Sequence, residues 1–269
     1  MISKTIKNTF TQTNMSLTSS FTRGFSKAPY RAVFVRHGES VWNKEDRYCG
    51  WANVNLTERG MEDAADAGRQ LKDQGIKCDV VYTSSLNRAL QTYQIISEYL
   101  DCYYLPIIQN YRLNTVHYGE LEGLEKEVAR VKYGEDKIKY WKKAFDVAPP
   151  KLSHEDPRHP RNDPRYAGVP TSELPSAESL KDCVNRVLPY WFSQIFPVLM
   201  EGKTPLVVCH ETTLRVIFGH LDKVSDLRGF KVPNGVPYVY EFDEMFRPIN
   251  RMELHACQHY YIGGYDIPQ

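Results

Sequence analysis

The chain has no apolar run close to the roughly 18 residues that a membrane-crossing helix needs, so no span is expected. It also has no C-x-x-C pair. Its six cysteines, Cys49, Cys78, Cys102, Cys183, Cys209 and Cys257, stand apart, and two of them lie in or beside apolar stretches. Buried free thiols of a reducing compartment are the expectation, and a zinc site is not supported. No acidic residue precedes Glu39, although Lys4, Lys7, Arg23, Lys27, Arg31 and Arg36 do. The whole chain holds 34 basic and 33 acidic residues, so residues 39–269 keep 28 basic against 33 acidic and carry a net charge of −5. An acidic body argues against nucleic-acid binding. No internal repeat and no clear boundary between two domains are visible.

What is there begins with an unusual first segment. Residues 1–30 are rich in Ser and Thr, with Ile2, Ile6, Phe10, Leu17, Phe21 and Phe25 at roughly helical spacing. Basic residues, hydroxyls and an apolar stripe without acid make up the composition of a mitochondrial transit segment. A disordered tail, or a true start at Met15, is the competing reading, with a cytoplasmic protein as its consequence. A secretory signal is not expected, since there is no long apolar core.

The body, residues 31–269, reads as α/β. Ala32-Val33-Phe34-Val35 and Pro205-Leu206-Val207-Val208-Cys209 are apolar runs of buried-strand type. Strands are also expected at 79–83, 104–108 and 238–242. Helices are expected from 58 to 74 behind a Thr57 cap with Gly75 at the end, from Ser84 or Ser85 to about Leu100, within 124–145, across 176–200 with breaks at Pro189 and Pro197, and from His210 to Leu221. Seven prolines mark 148–175 as an excursion or lid outside the core. Strands alternating with helices predict a three-layer fold, with a mostly parallel sheet covered on both faces.

The two strongest strand runs each end in a histidine, His37 and His210. Ligand sites in such sheets form outside the carboxyl ends of the strands, so both imidazoles are expected at one crevice. A neutral imidazole nitrogen attacks phosphorus well near neutral pH. Arg36 beside it offers a planar fork to phosphate oxygens, and Gly38 allows close backbone approach. Arg88 supplies a second guanidinium from the helix after Thr83.

Arg36-His37-Gly38-Glu39-Ser40-Val41-Trp42-Asn43 resembles the phosphohistidine loop of cofactor-dependent phosphoglycerate mutases, in the histidine phosphatase superfamily. The likeness continues in order through Gly50-Trp51, Leu56-Thr57, Tyr82-Thr83-Ser84, Arg88-Ala89-Leu90-Gln91-Thr92, Arg112-Leu113-Asn114, His117-Tyr118-Gly119, Phe145-Asp146-Val147, Leu188-Pro189-Tyr190-Trp191 and His210, spanning roughly residues 31–250. The resemblance implies a phosphoglycerate mutase-like fold. It implies His37 as phosphoryl acceptor, with Arg36, Arg88 and His210 holding the phosphoryl group in flight. It further implies Gly38, Ser40, Asn43, Gly50, His117, Tyr118, Lys142 and Lys143 at substrate-contact positions, 2,3-bisphosphoglycerate as donor if the protein is active, and no metal.

Several positions depart from that pattern. Where the family reads Arg-Leu-Asn-Glu-Arg-His-Tyr-Gly, this chain has Thr115 and Val116, so the general acid/base glutamate is missing. Losing a positioned acid/base costs about 10²–10⁴-fold in rate. Leu124 replaces a lysine, Cys49 a threonine, and Lys142-Lys143 an arginine pair. Glu211-Thr212-Thr213 replaces Gly-Asn-Ser after His210, bringing a carboxylate beside an anion pocket. The expected protein is therefore a mitochondrial pseudoenzyme with a structural or binding role, alone, as a homo-oligomer or within a larger assembly. A divergent active mutase (a glycolytic isomerase) or weak phosphatase working through His37, with Glu211 as relocated acid/base, is the alternative.

Overall fold

The computed structural model describes residues 30–255. The N-terminal extension 1–29 and Cys257, both subjects of expectations above, lie outside that range.

Six strands form one sheet: β1 (Tyr30–Arg36), β2 (Val80–Thr83), β3 (Ile107–Gln109), β4 (Pro205–Cys209), β5 (Pro237–Phe242) and β6 (Pro248–Glu253). Their spatial order is β3-β2-β4-β1-β5-β6. The first four run parallel, while β5 is antiparallel to β1 and β6 to β5. The chain thus has the mostly parallel α/β architecture that its strand and helix alternation predicts.

Side-chain alternation explains why the central strands read as continuous apolar runs. From β1, Ala32 and Phe34 point to one face, with Val207 and Cys209 of β4 and Tyr238, Tyr240 and Phe242 of β5. Val33, Val35, Leu206, Val208 and Val239 point to the other. Both faces are buried, so no position on these strands can be polar without cost. Helices α2 (Glu58–Asp73) and α3 (Asn87–Leu100) cover the second face through Ala67, Leu71, Ala89, Tyr93 and Ile96. Helices α6 (Leu180–Tyr190) and α8 (Glu211–Leu221) cover the first through Cys183, Val187, Leu214, Ile217 and Phe218. Helices α1 (Val41–Lys44), α4 (Lys126–Tyr133) and α5 (Glu135–Lys143) lie in the connections.

Several local expectations need correction. The 176–200 helix is three pieces: α6, a π-helical turn at Trp191–Ile195, and α7 (Phe196–Met200). Pro197 falls in the first turn of α7, directly behind the π-helical turn, whereas Pro189 lies inside α6 without ending it. Neither Ser84 nor Ser85 caps α3. Its N-cap is Leu86, whose side chain has no polar atom to offer, while the Ser84 hydroxyl accepts from the Leu86 N–H at 3.3 Å and meets His210. The excursion 148–175 is a series of short 3-10 turns that packs down: Tyr166 and Leu174 form an apolar cluster with Trp51 and Tyr111. Strand β6 is a further element that the pattern does not announce, since its residues are largely exposed on an edge. The five described cysteines are free, with Cys102, Cys183 and Cys209 buried.

Candidate active site

The parallel register pairs Arg36 of β1 with Cys209 of β4, and the His37 N–H donates to the Cys209 carbonyl at 3.0 Å. The two following residues must therefore leave the sheet side by side. The rings of His37 and His210 lie 5.0 Å apart between centroids. On the other side of β4, Thr83 of β2 pairs with Val208, which brings Ser84 against His210 with Ser84 Oγ 2.7 Å from Nε2. Ser84, His210 and His37 thus line up along the carboxyl edge of three adjacent strands. Ser84 is a site residue that the sequence marks only as a helix start and as part of the Tyr82-Thr83-Ser84 likeness.

His37 has one defined tautomer. Its Nδ1 sits 2.7 Å from the Gly38 carbonyl oxygen. A carbonyl only accepts, so Nδ1 carries the proton and Nε2 keeps its lone pair. Arg88 Nε approaches that lone pair at a long 3.3 Å. Burial first, then the nearby charges of Arg88 and Arg36, hold the His37 imidazole well below its ordinary pKa. A neutral imidazole with Nε2 unprotonated is the form that attacks phosphorus. Burial also depresses His210, aided by Arg88, His37 and Arg36. Its Nδ1 is buried with no hydrogen-bond partner.

The loop is held by close backbone packing. A Cβ on Gly38 would lie 2.0 Å from the Gly60 carbonyl oxygen, and the Gly38 N–H donates to Thr92 Oγ1 at 3.0 Å. Arg88, almost fully buried, donates to the Gly50 and Ala52 carbonyls at 2.8 and 2.9 Å. Gly50 adopts φ +48° to offer its oxygen. Arg36 donates from Nη1 to the Val232 carbonyl at 2.6 Å and pairs with the Glu211 carboxylate at 2.9 Å. Glu211 also pairs with Arg215, one turn along α8. Arg215 is a third guanidinium, which the sequence reading does not single out. Its only signal is the Glu-x-x-x-Arg spacing at the start of a helix.

The remaining candidate residues have varied fates. Ser40 and Asn43 form a reciprocal cap on α1, and both touch Cys49 Sγ, at 3.8 and 3.7 Å. Tyr118 stands against Tyr48. His117 is fully buried, with Nδ1 accepting from the Gly119 N–H at 3.0 Å. Thr115 offers its carbonyl to Trp51 Nε1 at 2.7 Å and Arg186 Nη2 at 3.0 Å. Val116 packs in the core, and Leu124 against the Leu121, Ala129 and Ile138 cluster. Thr212 is half-buried in the first turn of α8, while Lys142 and Lys143 are exposed in the last turn of α5. The described contacts of His37, Arg36, Arg88 and His210 include none of the last three. Among the described residues, no three His, Cys, Asp or Glu side chains group to hold a metal.

A buried carboxyl, Glu122, sits behind Gly50. Its Oε1 accepts from the Trp51 and Tyr118 N–H groups at 2.8 and 3.1 Å. Burial pushes its pKa up to about 8, against the pull of those two donors and of Arg88. Burial lowers His117 to about 3, with His159 and Arg186 adding to it.

These shifts give a sign to the pH dependence. His37, His117 and His210 have folded pKa values below their ordinary 6.5, so the unfolded chain binds protons first and stability falls as pH drops below about 6.5. Glu122 has a folded value above its ordinary 4.5, so its contribution is present at low pH and is lost between 4.5 and about 8. Each unopposed group is worth roughly 1.4 kcal/mol per pH unit. These three histidines, with His159 and His220 lowered in the same direction, oppose Glu122 below 6.5, and Glu122 prevails above it. Thermal unfolding across pH 5–8 should show greatest stability near pH 6.5. Glu122→Gln should flatten the alkaline side. An alkaline decline unchanged in that variant would show that Glu122 is not its source.

Two histidines at the ends of adjacent parallel strands, flanked by the Arg36 and Arg88 guanidiniums, give an α/β protein a site with the chemistry to hold a phosphoryl group. Residues 32–162 match the model of the histidine phosphatase superfamily (branch 1). Solved structures share the fold. Bacillus stearothermophilus YhfR is 25% identical over 81% of this chain and 94% of its own, with a TM-score of 0.60. The alpha-ribazole phosphatase from Shigella flexneri is 22% identical over 82% and 94%, with a TM-score of 0.61. A mycobacterial glucosyl-3-phosphoglycerate phosphatase, solved with VO3, is 18% identical over 83% and 97%, also at 0.61.

Proposed function

We propose that this protein is a phosphoglycerate mutase-like member of the superfamily that holds a phosphoryl group at His37 but has lost efficient turnover, and that it serves a structural or binding role in mitochondria. One observation carries the reading. The Glu211 carboxylate lies 2.9 Å from Arg36, on the guanidinium expected to clamp a phosphoryl group, while Thr115 stands where the mutases carry their acid/base. 2,3-Bisphosphoglycerate, the donor of those mutases, does not fit this arrangement. One of its anionic groups would have to share Arg36 and Arg215 with a resident carboxylate. The acid-free tail 1–30 supports the mitochondrial address and a role as a subunit of a larger assembly.

The test is turnover. Purified protein should convert 3-phosphoglycerate to its 2-isomer, and hydrolyse p-nitrophenyl phosphate, far more slowly than the roughly 1–10³ per second of ordinary enzymes. Rates within that range would overturn the proposal. A fluorescent reporter fused to residues 1–30 that stays out of mitochondria would remove the address, and native protein migrating as a monomer in a gentle mitochondrial extract would remove the assembly.

A second reading is a slow phosphatase. The His37 tautomer favours it, because Nε2 is already in acceptor form. It requires radiolabelled phosphoramidate to mark His37, and His37→Ala and Glu211→Gln each to stop phosphate release. Both salt bridges of Glu211 are to guanidiniums, so its carboxylate must leave them before it can move a proton.

A further inference from the structure

Outward from His37, the flank of the site has an unusual charge balance. Two guanidiniums, Arg36 and Arg215, share the single carboxylate of Glu211, which is less than one-third exposed. Hydroxyl, amide and thiol groups surround them. The Tyr118 hydroxyl is raised by burial, with Cys49 and Glu211 adding to it. Cys49 in turn touches Ser40 and Asn43. Arg36 Nε and Arg215 Nε are buried N–H groups without a partner. A ligand oxygen that reached them would satisfy two orphaned donors.

We propose that Glu211 is a specificity-determining residue, and that the site takes a phosphomonoester whose remaining groups are uncharged and hydroxyl-bearing, excluding esters with a second anion. The inference rests on the reading above that a phosphoryl group is held at His37. A second carboxylate or phosphate can reach Arg36 or Arg215 only by displacing Glu211 or by lying beside it. Either way like charges meet in a partly desolvated place, where salt screens them poorly. A hydroxyl meets no such charge, and can donate to Glu211 or Tyr118 and accept from the unpartnered Nε groups.

Two small probes separate these outcomes. Glycerol 3-phosphate and 3-phosphoglycerate share a phosphoryl group and a hydroxyl, and differ in carrying a hydroxymethyl or a carboxylate. Calorimetric titration of the full chain near pH 7.5 should show glycerol 3-phosphate binding at least about tenfold more tightly. Glu211→Gln should bring the two affinities to within about threefold of each other, and Glu211→Asp, which keeps the charge, should retain the preference. Equal or tighter binding of 3-phosphoglycerate by the unaltered protein would overturn the proposal. So would a preference that survives in Glu211→Gln, or one that is lost in Glu211→Asp. Failure of the underlying reading looks different: glycerol 3-phosphate would bind His37→Ala as well as the unaltered protein. Absence of binding by either probe would overturn both.

Discussion

Arg186→Met is expected to lower the free energy of unfolding by about 3–5 kcal/mol, the range for removing one partner of a buried ion pair. Arg186 comes from the middle of α6 and lies within the protein. Its Nε and Nη2 meet the two Glu178 oxygens at 2.7 and 2.8 Å. Its Nη1 donates to the Arg112 and Asn114 carbonyls, both at 2.9 Å, and Nη2 to that of Thr115 at 3.0 Å. Its guanidinium also lies over the Trp51 ring. Burial works against the charge, but Glu178 outweighs it and keeps Arg186 above its ordinary pKa. Methionine matches much of the volume and none of these donors, so a buried carboxylate loses its countercharge and three carbonyls each lose a donor together. Pairing Arg186→Met with Glu178→Leu should recover only part of the loss, since the Arg112 carbonyl loses the Arg186 donor and the Asn114 and Thr115 carbonyls each keep only their second donor, Thr213 Oγ1 and Trp51 Nε1. Denaturant titration of the three variants decides it. A loss below about 1 kcal/mol for the single variant, the scale of surface pairs, would mean that the pair is solvated and the segment is held by other contacts.

Arg186 also marks the boundary of what the sequence made legible. The central strands were readable because both of their faces are buried, which leaves uninterrupted apolar runs at 32–35 and 205–209. The meeting of His37 and His210 was readable for the same reason: each ends such a run, and parallel register does the rest. Buried charge was not. Arg186, Glu178 and Glu122 sit in segments whose other charged residues face water, and nothing in their spacing separates a desolvated ion from a solvated one. Ser84 was misread because a hydroxyl before a helix usually caps it, whereas here a tertiary bond to His210 competes for it. Strand β6 was missed because an edge strand with an exposed face has no alternation to display. The prolines of 148–175 announced irregular chain correctly, but not that Tyr166 and Leu174 would bury themselves against Trp51.

The largest expected change in activity belongs to Thr115→Glu combined with Glu211→Gly. If those two positions disabled the site, turnover of a phosphomonoester should rise by about 10²–10⁴-fold over the unaltered protein, the range for a positioned acid/base. Two parts of the structure support the gain. The backbone at Thr115 is fixed by Trp51 Nε1 and Arg186, so a carboxyl placed there hangs from a rigid mount. Removing the Glu211 side chain frees Arg36 from its only salt bridge among the described residues and leaves the neutral His37 acceptor untouched. The two changes act on one event, proton transfer while a phosphoryl group is clamped, so neither alone should deliver the sum of its share. The cost is small by comparison: glycine at the first position of α8 loses roughly 1 kcal/mol of helix propensity and removes the one acidic group in its first turn. A folded double variant, its melting point checked, that stays as slow as the unaltered protein would show that the loss of activity lies elsewhere. The first place to look would then be the Arg88 fork, which is already committed to the Gly50 and Ala52 carbonyls.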